Sequence, residues 1–170
     1  MIDLCRKYGI EDFSINKDGS VDVNGNVHIE GLYLTKIPLK FNKVFGDFYC
    51  DSNSLTTLEG SPNWVGGNFD CSNNRLKSLK HSPYFVGGYF SCGNNELINL
   101  DFSPKEIGIF FDCIENPLIT NYSNSKILSC GFNTTLKEDG LIQNEHGDII
   151  NYNEWCLNEK RKKILNKIIN

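Results

Sequence analysis

Seven cysteines are the side chains of this chain with the clearest capacity for chemistry. Four of them, Cys50, Cys71, Cys92 and Cys113, follow one another at a constant spacing of 21 residues. Zinc takes about four ligands in a tetrahedron, and a straight column along a sheet offers at most two neighbours to one ion. Unpaired cysteine also packs in protein cores as a small apolar side chain. We therefore expect these four thiols in the core, with no metal and no cofactor.

The other thiols, Cys5, Cys130 and Cys156, lie outside this column. A catalytic cysteine needs a base such as histidine within reach, and no histidine stands at a fixed position beside any of them. Cys130 and Cys156 remain the positions on which an enzyme or effector activity would depend.

Residues 144–148, "NEHGD", group three possible metal ligands, Glu145, His146 and Asp148. Polar residues with a glycine are also what a hairpin turn requires. The apolar pairs on either side favour the turn, so Leu141–Ile150 is predicted to be a hairpin.

The elements that position these side chains follow from the 21-residue step, which recurs in many other columns. Such self-similarity is typical of solenoids, in which each repeat packs only on its neighbours. The columns are Asn53, Asn74, Asn95 and Asn116; Leu55, Leu76, Leu97 and Leu118; Phe48, Phe69, Phe90 and Phe111; Pro62, Pro83 and Pro104; and Val44, Val65, Val86 and Ile107.

Within one unit, Phe69 and Cys71 alternate with polar residues and are followed by Asn74. This pattern predicts a short strand with Phe and Cys inward, paired in parallel with the next unit at ~4.8 Å. The asparagine amide can then satisfy backbone groups of adjacent coils. The pair Gly66-Gly67 provides backbone freedom or room where the chain enters the strand.

These repeats resemble the leucine-rich repeat family in its short bacterial form, from about Val23 to Thr120. The resemblance implies a leucine-rich-repeat-like parallel strand ladder with an extended convex side. The strand departs from the family pattern because Phe and Cys stand where Leu is usual. The combination of "GSP", "VGG" and "CSNN" is also similar to uncharacterised repeat proteins of tailed bacteriophages, which implies a source but no activity.

Three regions are expected. Residues 1–22 form an N-terminal cap with a short helix, 23–120 form about five coils of 21 residues, and 121–170 form a C-terminal cap. This last cap is predicted to contain the hairpin and a helix that begins near Asn153. Its final segment, 151–170, has a net charge of +3 and is read as a capping helix or as a second, basic contact surface.

Composition limits the classes of function. The formal net charge is −4, which argues against a general nucleic-acid-binding protein. No apolar run approaches the roughly 20 residues of a membrane helix, and the first residues lack the features of a signal peptide. We expect a cytoplasmic protein, in the host cytoplasm if it is phage-encoded, with reduced thiols.

Alternation predicts which side chains point outward from the strand ladder and form a concave acidic and aromatic face. An ordinary polar sheet surface is the plain alternative. Aligned carboxylates beside exposed aromatic rings favour a binding patch for a basic or amphipathic protein. The predicted binding residues are Glu30, Asp47, Tyr49, Asp51, Asn68, Asp70, Ser72, Tyr89, Ser91, Phe110 and Asp112.

The sequence therefore predicts a non-catalytic protein-binding module, with a host factor as partner if the phage resemblance holds. The alternatives are an enzyme or effector that uses a C-terminal cysteine and a structural protein that self-associates. The partner's identity and the oligomeric state stay open.

Overall fold

The computed structural model describes residues 1–113 and 115–117, together with three short strands at 135–136, 142–143 and 149–150. Each 21-residue unit of the described chain forms one coil of a solenoid. A coil contains two short strands separated by a turn, then a longer extended return. Corresponding strands of successive coils pair in parallel, so the coils build two ladders.

The first sheet contains the strand that precedes the turn of each coil, and the second sheet contains the strand that follows it. The first sheet has the order β1-β2-β4-β6-β8-β10, and the second has the order β11-β9-β7-β5-β3. The strands of the first sheet are β1 (Phe13–Ile15), β2 (Val21–Val23), β4 (Phe41–Val44), β6 (Trp64–Val65), β8 (Phe85–Val86) and β10 (Glu106–Ile107); those of the second are β3 (Val27–His28), β5 (Phe48–Tyr49), β7 (Phe69–Asp70), β9 (Phe90–Ser91) and β11 (Phe111–Asp112).

The register of both ladders repeats the sequence period. Phe48 pairs with Phe69, Phe69 with Phe90, and Phe90 with Phe111, each 21 residues farther along the chain. In the first sheet, Val44 pairs with Val65 and Val65 with Val86. The predicted solenoid with a parallel, leucine-rich-repeat-like strand ladder is confirmed. The sequence did not predict the strand that each coil contributes to the first sheet.

Three sets of side chains fill the interior between the two ladders and the return. Valine comes from the first sheet, phenylalanine and cysteine from the second, and leucine from the return, and all are nearly or fully buried. The rings of Phe48 and Phe69 stack with centroids 5.3 Å apart, and the same stack continues to Phe90 and Phe111. Offset aromatic pairs add roughly 0.5–1.5 kcal/mol beyond the burial of their area. The predicted inward direction of Phe and Cys is confirmed.

A column of asparagines joins the coils on the side of the second sheet where the return begins. The Asn74 amide nitrogen lies 3.1 Å from the carbonyl oxygens of both Cys50 and Cys71. Its side-chain oxygen accepts a hydrogen bond from the backbone N–H of Leu55 at 2.9 Å. Asn53, Asn95 and Asn116 repeat contacts of this kind. The column satisfies backbone groups of two coils at once, as the sequence predicted.

The glycine pairs provide room between coils. A Cβ atom added at Gly88 would collide with the Asn68 side-chain oxygen and the backbone of Gly67, and one added at Gly87 would collide with the Gly66 carbonyl. The backbones of consecutive coils therefore approach more closely here than any side chain would allow.

Both ends of the solenoid carry additional elements. Helix α1 (Ile2–Lys7) buries Cys5, and β1 adds to the first sheet as an antiparallel edge strand beside β2. At the other end, β12 (Thr135–Leu136), β13 (Ile142–Gln143) and β14 (Ile149–Ile150) form an antiparallel sheet, and β12 lies next to β10. The predicted N-terminal helix and C-terminal hairpin are thus confirmed. The predicted terminal helix, Cys130 and Cys156 lie outside the described residues.

Among the described residues, the one helix is far too short to cross a bilayer.

Candidate functional site

The outward side of the second sheet brings the predicted binding residues together. We call this surface the acidic face and define it by Glu30, Asp47, Tyr49, Asp51, Asn68, Asp70, Ser72, Tyr89, Ser91, Phe110 and Asp112. Tyr49, Asp70, Ser91 and Asp112 occupy the outward position of four consecutive strands, in register with one another. The remaining residues flank this central column on either side, at the ends of the same strands.

The column that contains Asp47 and Asn68 connects successive coils. The Asp47 carboxylate accepts a hydrogen bond from the backbone N–H of Asn68 at 2.6 Å, and the Asn68 side-chain oxygen accepts one from Tyr89 at 3.0 Å. Asn26 makes the same contact with the backbone N–H of Asp47. These side chains lie beside the glycine pairs, where the coils are closest. Asp47 and Asn68 therefore contribute to the scaffold as well as to the surface.

Asp70 is a largely desolvated carboxylate at the centre of the acidic face. Burial raises its pKa, hydrogen bonds from Ser72 lower it, and the nearby carboxylates Asp51 and Asp112 raise it. The backbone N–H of Ser72 donates to the Asp70 side chain at 2.9 Å. Because the net shift in the pKa of Asp70 is upward, the contacts within the described chain do not fully offset the cost of ionising this carboxyl group.

Aromatic rings lie directly beside these carboxylates. Tyr89 and Phe110 stack with their centroids 5.1 Å apart. The Tyr49 hydroxyl lies 3.5 Å from the Asn68 amide nitrogen and forms a hydrogen bond with the Tyr89 side chain. Desolvation, followed by that hydrogen bond, raises the pKa of Tyr89, so the phenol stays protonated at neutral pH. On its other side Tyr49 packs against His28, with ring centroids 5.3 Å apart.

Ser91 differs from the other predicted binding residues because it is 7% exposed. Its hydroxyl lies 3.3 Å from the carboxylate of Asp112. Ser91 is in the outward column, as predicted, but its neighbours cover it. Its contribution to the acidic face is to position Asp112.

Among the residues that the structure describes, no lysine or arginine forms an ion pair with Asp51 or Asp70. Asp51 is instead 2.9 Å from the Ser52 hydroxyl. Glu30 lies 3.2 Å from His28, a contact that is an ion pair only when the imidazole is protonated. Asp51 and Asp70 therefore keep negative charge available for a cation.

Burial and geometry account for the remaining candidate chemistry of the described residues, whereas Glu145, His146 and Asp148 lie outside them. Among the described residues, no three His, Cys, Asp or Glu side chains converge as metal ligands. Burial is the main cause that raises the pKa of Cys50, Cys71 and Cys92 well above the usual thiol value, so these groups stay neutral. An open groove of about 710 Å³ lies on the return side of the coils, and no residue of the acidic face lines it.

A second aromatic cluster, which the sequence did not reveal as a surface, lies on the outer side of the first sheet. Phe45 packs on Trp64, and Trp64 stacks on Phe85, with centroids 5.4 Å apart in both pairs. Trp64 and Phe85 stand immediately before the repeated valines, so the 21-residue alignment could have identified this column. The signal was weak because this column contains only two aromatic residues, which stand between Lys43 and Glu106.

Comparison of the chain with protein-family models, curated proteins and solved structures gave no significant match.

Proposed function

We propose that this protein is a non-catalytic binding module that recognises a basic or amphipathic protein segment through the acidic face. The observation that carries the proposal is the position of Asp51 and Asp70, which lack a cationic partner within the described chain, beside the rings of Tyr49 and Tyr89. Burial and, to a smaller extent, repulsion from neighbouring carboxylates raise the pKa of Asp70, and an incoming lysine or arginine would offset this cost of ionisation.

The shape of the ladder supports an extended contact. Five strands at ~4.8 Å span roughly 20 Å, which is the scale of a modest protein interface. The rings provide apolar area with few side-chain rotors, and the carboxylates provide steering and selectivity for positive charge. The similarity to phage repeat proteins makes a cytoplasmic protein of a bacterial host the natural candidate for the partner.

The proposal is tested with an array of synthetic peptides of equal length, in which basic amphipathic sequences are compared with versions carrying Glu in place of Lys and Arg. We expect the folded protein to bind members of the basic set, with an affinity that falls as salt is raised. Tyr49→Ala combined with Asp70→Asn should abolish binding, because it removes a central ring and a central carboxylate.

A matched control changes two exposed acidic residues outside the acidic face, Glu59→Gln with Asp101→Asn. It should bind as the unchanged protein does. Equal binding of the basic and acidic peptides, or equal losses in the two variants, would contradict the proposal. Circular dichroism of each variant separates loss of binding from loss of folding.

A further inference from the structure

On the outer side of the first sheet, four consecutive residues of one column follow the order cation, ring, ring, anion, and Asp22 of β2 precedes them in the same column. Lys43 pairs in register with Trp64, Trp64 with Phe85, and Phe85 with Glu106. Both charged residues are exposed. Among the described residues neither has an ion-pair partner. The stretch from Lys43 to Glu106 therefore has an apolar centre and opposite charges at its two ends.

The neighbouring column of the same side contains one large residue and three glycines. Phe45 is 55% exposed, and the next positions along the ladder are Gly66, Gly87 and Gly108. A Cβ atom added at Gly66 would lie 2.9 Å from the Trp64 ring. The glycines thus leave space beside the aromatic strip, and Phe45 projects at one end of it. We call these two columns, Lys43 to Glu106 and Phe45 to Gly108, the aromatic strip.

We propose that the aromatic strip binds the aromatic strip of a second copy of this chain, with the two solenoids antiparallel. In a face-to-face dimer the two-fold axis lies in the interface plane, here parallel to the strands and between the coils of Trp64 and Phe85. This operation reverses the order of the coils and leaves each column opposite itself. Lys43 then faces Glu106 of the other copy, and Trp64 faces Phe85.

The same operation brings the projecting ring opposite a space. Phe45 lies in the second coil and faces Gly108 in the fifth coil of the other copy, and the reciprocal contact is made at the same time. Self-complementarity of this kind is required of a two-fold interface, where one patch serves both partners. Two ion pairs, two ring-on-ring contacts and two ring-on-glycine contacts result from one rotation.

Charge selects this arrangement over its alternative. A two-fold axis along the solenoid would place Lys43 on Lys43 and Glu106 on Glu106, which is repulsive at both ends. The parallel dimer is therefore excluded by the same four charged side chains that stabilise the antiparallel one.

The area of the strip limits the strength of association. Four strands at ~4.8 Å cover roughly 15 Å along the ladder, which is at the low end of specific interfaces. We expect a dimer that dissociates on dilution. The acidic face belongs to the second sheet, so association through the aromatic strip and peptide binding by the acidic face are measured independently.

Sedimentation velocity of the full chain over about a hundredfold range of concentration tests the proposal. The unchanged protein should shift from monomer to dimer. Lys43→Glu alone and Glu106→Lys alone should each remain monomeric, since each places two pairs of like charges in the interface. Lys77→Glu and Glu96→Lys reverse charges of an exposed pair elsewhere and should dimerise like the unchanged protein.

Mixing the two monomeric variants gives the decisive result. Lys43→Glu and Glu106→Lys together restore opposite charges at both ends, so the mixture should form a heterodimer although neither variant associates alone. The double variant K43E/E106K should recover the homodimer. A monomer at every concentration, a dimer that survives the single charge reversals, or a mixture that stays monomeric would overturn the proposal.

Discussion

Replacing Asn95 with alanine tests how the coils are held together. Asn95 is 7% exposed. Its side-chain oxygen accepts the backbone N–H of Leu76 at 2.9 Å. Its amide nitrogen lies 3.0 Å from the carbonyl of Cys71 and 3.1 Å from that of Cys92. Alanine removes all of these contacts and keeps the backbone.

The loss of stability depends on which hydrogen-bond partners each backbone group keeps after the substitution. Both carbonyls keep a second partner, Asn74 for Cys71 and Asn116 for Cys92, so each loses only one hydrogen bond of about 0.5–1.5 kcal/mol. The N–H of Leu76 loses its acceptor in a buried site, which costs about 1–3 kcal/mol. We expect the free energy of unfolding to fall by about 2–6 kcal/mol.

Urea denaturation followed by circular dichroism measures this loss. With a slope of about 2 kcal/mol per molar urea, the midpoint should fall by roughly 1–3 M. Asn63→Ala, at an exposed position immediately before β6, is the matched control and should change the midpoint little. A loss for Asn95→Ala no larger than for this control would refute the view that the asparagine column joins the coils.

Three further predictions concern other parts of the coil. Gly88→Ala should lower stability by about 1–3 kcal/mol or more in the same urea assay, because its Cβ would strike the adjacent coil, whereas Gly25→Ala, with open space around it, should be nearly neutral. Mass spectrometry after iodoacetamide treatment at neutral pH should find Cys71 unmodified in the native protein and modified in urea; native labelling would contradict its burial. Asp70 has a raised pKa in the folded state, so its ionisation opposes folding, and the penalty appears as pH rises from the unfolded value through the folded one. Asp70→Asn should therefore melt higher than the unchanged protein at neutral pH, with a difference that vanishes in acid; a lower melting temperature at neutral pH would show that the carboxylate is stabilising.

The interior of the solenoid was predictable because its residue types repeat. Phe69, Cys71, Asn74 and Leu76 each recur at 21 residues, and strict recurrence in a parallel ladder requires that like residues stack. Side-chain direction then follows from alternation alone. The strand of the first sheet was missed because it is only two residues long in most coils and its outward member varies from coil to coil.

The surface was predictable in position but not in environment. Alternation placed Asp47 and Ser91 on the outward side correctly. Alternation could not show that the Asp47 carboxylate accepts a hydrogen bond from the backbone of the next coil, or that Ser91 is buried. Both features depend on how neighbouring residues of different types pack together. Burial of an outward residue in a ladder is set by the sizes of the side chains above and below it, which the repeat does not fix.

The asparagine contacts described above also allow folding and surface chemistry to depend on different residues of the same polypeptide. The asparagines form the same hydrogen bonds between each pair of neighbouring coils. Folding therefore depends on a constant set of inward-facing residues. The outward-facing residues can then change without disturbing the inward-facing ones. A chain built this way can acquire a new partner by substitution of surface residues in one coil at a time. It can also lengthen its contact area by insertion of a complete 21-residue unit, which keeps the register of the repeat.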